Sequence, residues 1–179
     1  MRVREYDPTD EDSWLRCRLL SFLYSGYHMD VKTAKTTDVD ISLVAVEADE
    51  VIGLIDIETE GTEATIDTIA VHPDHSRRGI ATALLNTAVS RLSGYSTLDA
   101  WTREDTAALT WYAKNGFVED ESSRYLHIHA DHTDIDSAAE GLTGFRPVHA
   151  FLHAPLAREA EVREKFRKVY ICRQMVRKL

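Results

Sequence analysis

Residues 69–85, IAVHPDHSRRGIATALL, bring together the groups that hold a phosphate. An apolar run enters a turn at Pro73, a basic turn with Arg77, Arg78 and Gly79 follows, and an amphipathic segment begins directly after it. That order sets free backbone N–H groups at a helix N-terminus, where the dipole also favours negative charge. The plain alternative is an ordinary strand–turn–helix. Asp67 lies in the run that leads into this turn, with Asp56 and Glu58 on the run before it. It reads either as a proton acceptor beside the phosphate site or as a structural or solvent-facing carboxylate. His127, His129 and His132 form an H-x-H-x-x-H cluster. Strand alternation would put the first two on one face, which suits a metal or a pocket wall. The sequence supplies no clear set of further ligands, so we assign no metal, and His149 and His153 carry the same ambiguity.

These groups need elements to position them. Val3 to Tyr6 reads as a strand, and Asp7-Pro8-Thr9-Asp10 as a turn. Trp14, Leu15, Leu19, Phe22 and Leu23 recur at helical spacing, which predicts a helix over Ser13 to Tyr24 ended by Gly26. A second short helix is expected over Val31 to Thr37. Ile41 to Val46 and Val51 to Glu58 read as a hairpin across Ala48-Asp49-Glu50. A strand follows over Thr65 to Val71, where alternation places Thr65, Asp67, Ile69 and Val71 on one face. Next come a helix over Ala81 to Leu92, a strand over Thr97 to Trp101, and a helix over Asp105 to Lys114 ended by Asn115-Gly116. From Phe117 the chain returns to strand through Tyr125, His127 and His129. Residues 130–144 read as a surface loop, Leu156 to Phe166 as a short helix and Val169 to Val176 as a last strand. The order is that of an α+β fold: one domain over residues 1–179, with a mixed, mostly antiparallel central sheet flanked by helices.

The stretch Val71-His72-Pro73-Asp74 followed by Ser76-Arg77-Arg78-Gly79-Ile80-Ala81 resembles the acyl-CoA-binding motif of the GCN5-related N-acetyltransferase (GNAT) superfamily. That motif is Gln or Arg, two variable residues, Gly, one variable residue, then Gly or Ala. Gly79 and Ala81 match, and Ser76 departs. Small residues there let the backbone approach a pyrophosphate closely. A second stretch, Asp105 to Phe117, resembles the later family motif, with Ala108, Tyr112, Gly116 and Phe117 in register. Asp105 stands where that motif has Asn, and it can still cap the helix.

The resemblance implies a GNAT-like fold and transfer of acetyl from acetyl-CoA to a primary amine, by direct attack in a ternary complex. It implies that Ile69, Ala70 and Val71 meet the pantetheine arm. Arg77, Arg78, Gly79, Ile80, Ala81 and Thr82 would cradle the pyrophosphate, and Asp105, Ala108 and Tyr112 would flank the thioester. Tyr112 becomes the candidate acid that protonates the departing thiolate, its alternative being a core tyrosine under the cofactor. An alkylammonium, with a reference pKa of about 10.4, must lose a proton before it attacks. Asp67 is the candidate base, with ordered water or a histidine as alternatives. A backbone N–H near Val71 would face the oxyanion. Tyr27 and His28, after the first helix, would line the acceptor pocket. Residues 130–166 form an insertion before the last strand. An acyl-CoA-binding regulatory module without turnover is the alternative left open by Ser76 and Asp105.

Bulk properties agree with a globular protein. The 179 residues are 44% hydrophobic and 28% charged, with a net charge of −9. Such a balance argues against broad binding to nucleic acid or to an anionic membrane, so a phosphate must be held by local charge and dipoles. It also favours a cationic acceptor, whether a small amine or a peptide or protein amine. Two cysteines without C-x-x-C spacing, no signal-peptide pattern and no membrane-length apolar run make the cytoplasm the expected compartment. A homodimer is an expectation from the family alone.

Overall fold

The computed structural model describes residues 1–131 and 148–179. Its strands and helices are β1 (Arg2–Glu5), α1 (Glu11–Phe22), β2 (Ile41–Glu47), β3 (Glu50–Glu60), β4 (Glu63–Val71), α2 (Ile80–Val89), β5 (Thr97–Thr102), α3 (Thr106–Lys114), β6 (Val118–Asp131), β7 (His149–Pro155), α4 (Glu159–Lys165) and β8 (Lys168–Lys178). The strands form one eight-stranded sheet in the order β1-β2-β3-β4-β5-β8-β6-β7. Every neighbouring pair is antiparallel except β4 and β5. The mixed, mostly antiparallel α+β architecture therefore matches the expectation. No helix among the described residues is long and apolar enough to cross a membrane.

Alternating apolar residues let the sheet carry a core on each face. On one face, Ile80, Leu84, Leu85 and Ala88 of α2, with Tyr112 of α3, pack on Leu43, Ile52, Ile55 and Ile57. Each fully buried Leu or Ile contributes about 1.5–3 kcal/mol. On the other face, Trp14 and Cys17 of α1 pack on Val44, Leu54 and Ala70. A third cluster joins Leu126, Ile128, Ala154 and Val169 to Val162 of α4. Gly53 permits the closest helix–sheet approach. A Cβ there would lie 2.6 Å from Ile80 Cγ2 and 3.2 Å from Leu84 Cδ1.

Four local expectations are corrected. The buried side of α1 is Trp14, Cys17 and Arg18, whereas Leu19 and Leu23 are exposed, so the apolar stripe is rotated. Val31 to Thr37 is not helical. Its groups bond outward instead: the Lys35 N–H donates to Glu11 Oε1 at 2.9 Å, and Lys35 Nζ lies 3.3 Å from the buried Asp56. A strand, β7, occupies 149–155, and β6 runs to Asp131, past the expected start of the loop at 130. The remainder of that loop, with His132, lies outside the described residues.

The fourth correction concerns β4. The register steps from Asp56↔Thr68 to Ile57↔Ile66, which makes Asp67 the extra residue of a β-bulge. Ala64, Ile66, Ile69 and Val71 all meet the α2-side core, while Ala70 meets the α1 side. Strict alternation from Thr65 to Val71 therefore fails at Asp67. β4 also parts from β5. Their ladder runs from Glu63↔Thr97 to Ile66↔Ala100 and ends there, while β4 continues to Val71.

Candidate active site

Where β4 and β5 part, a cavity of about 470 Å³ opens between them. That volume suits a small-molecule ligand. One wall is Asp67 to Val71 on β4, and the opposite wall is Trp101 and Thr102 on β5. Ser76, Arg77, Gly79, Ile80, Ala81 and Thr82 close one end. Asp105, Ala108 and Tyr112 of α3 line it too, as do Arg18, Tyr27 and Asp30 from α1 and the segment after it.

The turn before α2 is built to present backbone N–H groups. Arg77 at φ +62° and Gly79 at φ +77° are both left-handed. Arg77 carries strain there that a glycine would not. A Cβ on Gly79 would meet nothing within 4 Å, so its φ alone calls for glycine. Gly79 is also the N-cap of α2 and offers no side-chain cap. The first-turn N–H groups of α2 are thus left to the cavity. Arg77 lines the cavity, but the Arg78 guanidinium turns away. It donates to Glu47 at 2.8 and 3.0 Å, and holds the Glu47 carboxyl down at about 2.

Tyr112 is buried, with its ring edge-on to Trp111 and Phe117 at 5.1 Å each. Burial, with smaller contributions from Tyr27 and Asp99, raises its phenol far above the ordinary value, so it stays protonated. Trp111 Nε1 donates to Thr82 Oγ1 at 3.1 Å and ties α3 to α2. The Asp105 carboxylate accepts from Ala107 N and Ala108 N at 2.8 and 3.1 Å and caps α3, as expected. Asp67 Oδ2 accepts from Thr68 Oγ1 at 2.9 Å and from Lys32 Nζ at 3.1 Å.

Tyr27 lines the cavity, whereas the exposed His28 does not and lies against Ser25 O. Tyr27 Oη accepts from the Arg103 N–H at 2.8 Å. The buried Arg103 guanidinium sits against the Tyr27, Phe151 and Tyr170 rings. It donates to Gly26 O and, at 2.9 Å, to His127 Nδ1. Burial first, then the Arg103 charge, pushes His127 down to about 3 and His129 to about 4, so both are neutral near pH 7. His127 and His129 do share a face, both meeting the Phe151 ring. Among the described residues no group of three or more His, Cys, Asp or Glu is placed to hold a metal.

Sequence reasoning missed Arg18, Lys32 and Arg103. Only Arg18 left a trace, as a polar residue four after Trp14 on the buried side of α1. Its guanidinium donates to Asp30 O at 2.8 Å and Asp30 Oδ2 at 3.1 Å.

A family model described as an acetyltransferase (GNAT) domain matches residues 38–119. The chain is 33% identical over 119 residues to Acetyltransferase SG1711 of Sodalis glossinidius (strain morsitans), covering 64% of this chain and 83% of that protein. Among solved structures, it resembles the ribosomal-protein-S18-alanine N-acetyltransferase from Escherichia coli, with a TM-score of 0.63 at 16% identity over 99% of this chain and 92% of that one. It also resembles the PaiA N-acetyltransferase from Thermoplasma acidophilum in complex with coenzyme A, with a TM-score of 0.62 at 12% identity over 99% and 98% of the two chains.

Proposed function

The chain belongs to the GNAT acetyltransferases, and from that premise we propose that it moves acetyl from acetyl-CoA to a primary amine by direct attack. The observation that carries the reading is one cavity whose walls hold the uncapped N-terminus of α2, Asp67 and Tyr112. Acetyl-CoA fits these residues. The left-handed Arg77–Gly79 turn and the first-turn N–H groups of α2 suit a pyrophosphate, with Arg77 rather than Arg78 as the lining cation. The reach of β4 from Asp67 to Val71, beyond its ladder with β5, suits an extended arm laid alongside it. When bound, acetyl-CoA supplies an electrophilic thioester carbonyl and a thiolate leaving group.

The chain's own groups do the rest. Asp67 takes the proton of the incoming ammonium, directly or through water. His127 does not line the cavity and its Nδ1 accepts from Arg103, which leaves the carboxylate on the wall as the acceptor. A β4 N–H near Val71 steadies the oxyanion. Tyr112 holds its proton until a thiolate forms beside it and then donates it. Tyr27, fixed through Arg103, borders the space for the acceptor.

The test is thiol release from acetyl-CoA against polyamines, amino acids, aminoglycosides and peptides with free N-termini, each beside a blank without acceptor. Release that depends on an acceptor supports the reading and names the class. Acetyl-CoA binding with release equal to the blank throughout would instead support a binding module without turnover.

A further inference from the structure

The candidate base already holds a primary amine, and that amine belongs to the protein. Lys32 Nζ donates to Asp67 Oδ2 at 3.1 Å and to Thr36 Oγ1 at 2.7 Å. Its side chain is 25% exposed and that of Asp67, which lines the cavity, is 27% exposed, so the pair is neither sealed in the core nor free in solvent. The segment that carries Lys32 is fixed on both sides. Two residues before it, Asp30 is held by Arg18, whose side chain is 3% exposed and lines the same cavity. Three residues after it, Lys35 enters the core, with its ammonium 3.3 Å from the fully buried Asp56 and against the Tyr6 and Trp14 rings. Lys32 is therefore delivered to Asp67 by two anchored neighbours. An exposed surface pair would lack that support and contribute little.

We propose that Lys32 occupies the place of the acceptor amine on Asp67 and that the protein acetylates it in cis. This rests on the acetyl-CoA reading above. Lys32 Nζ gives one proton to Asp67, which passes it to water. The nitrogen then bonds to the acetyl carbon and loses its second proton by the same route. The carbon–sulfur bond breaks with its electron pair on sulfur, and Tyr112 protonates that sulfur and regains its proton from solvent. The product amide carries no charge, so its hold on Asp67 is lost and the carboxylate becomes free for an external amine. Self-acetylation thus converts a self-occupied site into an open one. The contacts of Lys32 also define the external acceptor as a primary alkylammonium that can reach a carboxylate and a hydroxyl together.

The experiment incubates the full chain with acetyl-CoA and no amine, then maps acetyl groups by peptide mass spectrometry. The expected result is acetyl on Lys32, formed at a rate independent of protein concentration. Tyr112→Phe slows it at least about tenfold, while exposed lysines such as Lys165 and Lys178 label unchanged. Lys32→Arg removes that label and still binds acetyl-CoA. Turnover on external amines with Lys32 left bare overturns the proposal and leaves the acetyltransferase reading standing. A bare Lys32 with no thiol release on any amine overturns both. Labelling of Lys32 at the same rate in Tyr112→Phe marks it as adventitious chemistry and also overturns the proposal.

Discussion

At the scale of single residues, Tyr112 divides the competing readings. Its buried phenol is packed between two aromatic rings, so Tyr112→Phe removes one oxygen and little packing. If the phenol donates to the thiolate, kcat falls by about a hundredfold or more while the affinity for acetyl-CoA changes little. Steady-state kinetics beside calorimetric binding checks this, and an unchanged kcat would remove Tyr112 from the chemistry. Tyr112 and Asp105 were legible in the sequence because they stand in a linear motif whose register is set by a single helix. Asp67 was legible as a carboxylate before the turn, but its bulge was not, since a bulge is a property of the pairing with β3. Arg78 looked equivalent to Arg77, yet Glu47, far away in sequence, claims its guanidinium. Lys32, Arg18 and Arg103 act through partners that only the folded chain brings near, and their own neighbours in sequence do not announce them.

At the scale of elements, the contact between β3 and α2 sets where the turn proposed to bind phosphate sits. Gly53→Ala drives a methyl into Ile80 and Leu84, and α2 must move. The expected cost is about 1–3 kcal/mol in urea melts, with weaker acetyl-CoA binding by calorimetry because the helix N-terminus shifts with it. The β6–β7 face gives a second test. Among the described residues, neither ring nitrogen of the buried His129 has a hydrogen-bond partner. Because His127 and His129 titrate at about 3 and about 4, below the ordinary 6.5, the unfolded chain binds more protons than the folded one across that window. Stability is therefore full above about pH 6.5 and falls as pH drops toward the folded values, at up to about 1.4 kcal/mol per unit for each histidine. His129→Phe keeps the ring and removes its unpaired polar atoms. It raises stability by about 1 kcal/mol at neutral pH and flattens the acid slope of the melting temperature. β7 itself escaped the sequence reading. Its seven residues pair, among the described strands, only with β6, carry two histidines and a proline, and alternate toward a small cluster rather than the main core.

At the scale of the molecule, the order of strands and helices was legible throughout the stretch that forms the cavity, because long apolar periodicities and clear caps mark it. The expected short helix after α1 was wrong because packing, not propensity, decides that segment. The sheet as a whole is two antiparallel halves, β1–β4 and β5–β8, joined by one short parallel ladder. A ligand lying in the gap would touch both halves at once. If acetyl-CoA binds as proposed, a concentration of a hundred times its Kd stabilises the fold by about 2.7 kcal/mol. For a chain of this length that raises Tm by about 2–4 °C per kcal/mol, readable in thermal melts. An unmoved Tm at that concentration would mean that acetyl-CoA does not bind the folded chain. The interrupted ladder also leaves a mark in deuterium uptake. Amides between Asp67 and Val71 that point away from β3 have no described strand opposite them, although they lie at the centre of an eight-stranded sheet. In the free protein they should exchange faster than those of the flanking strands, and bound acetyl-CoA should slow them as a missing strand would.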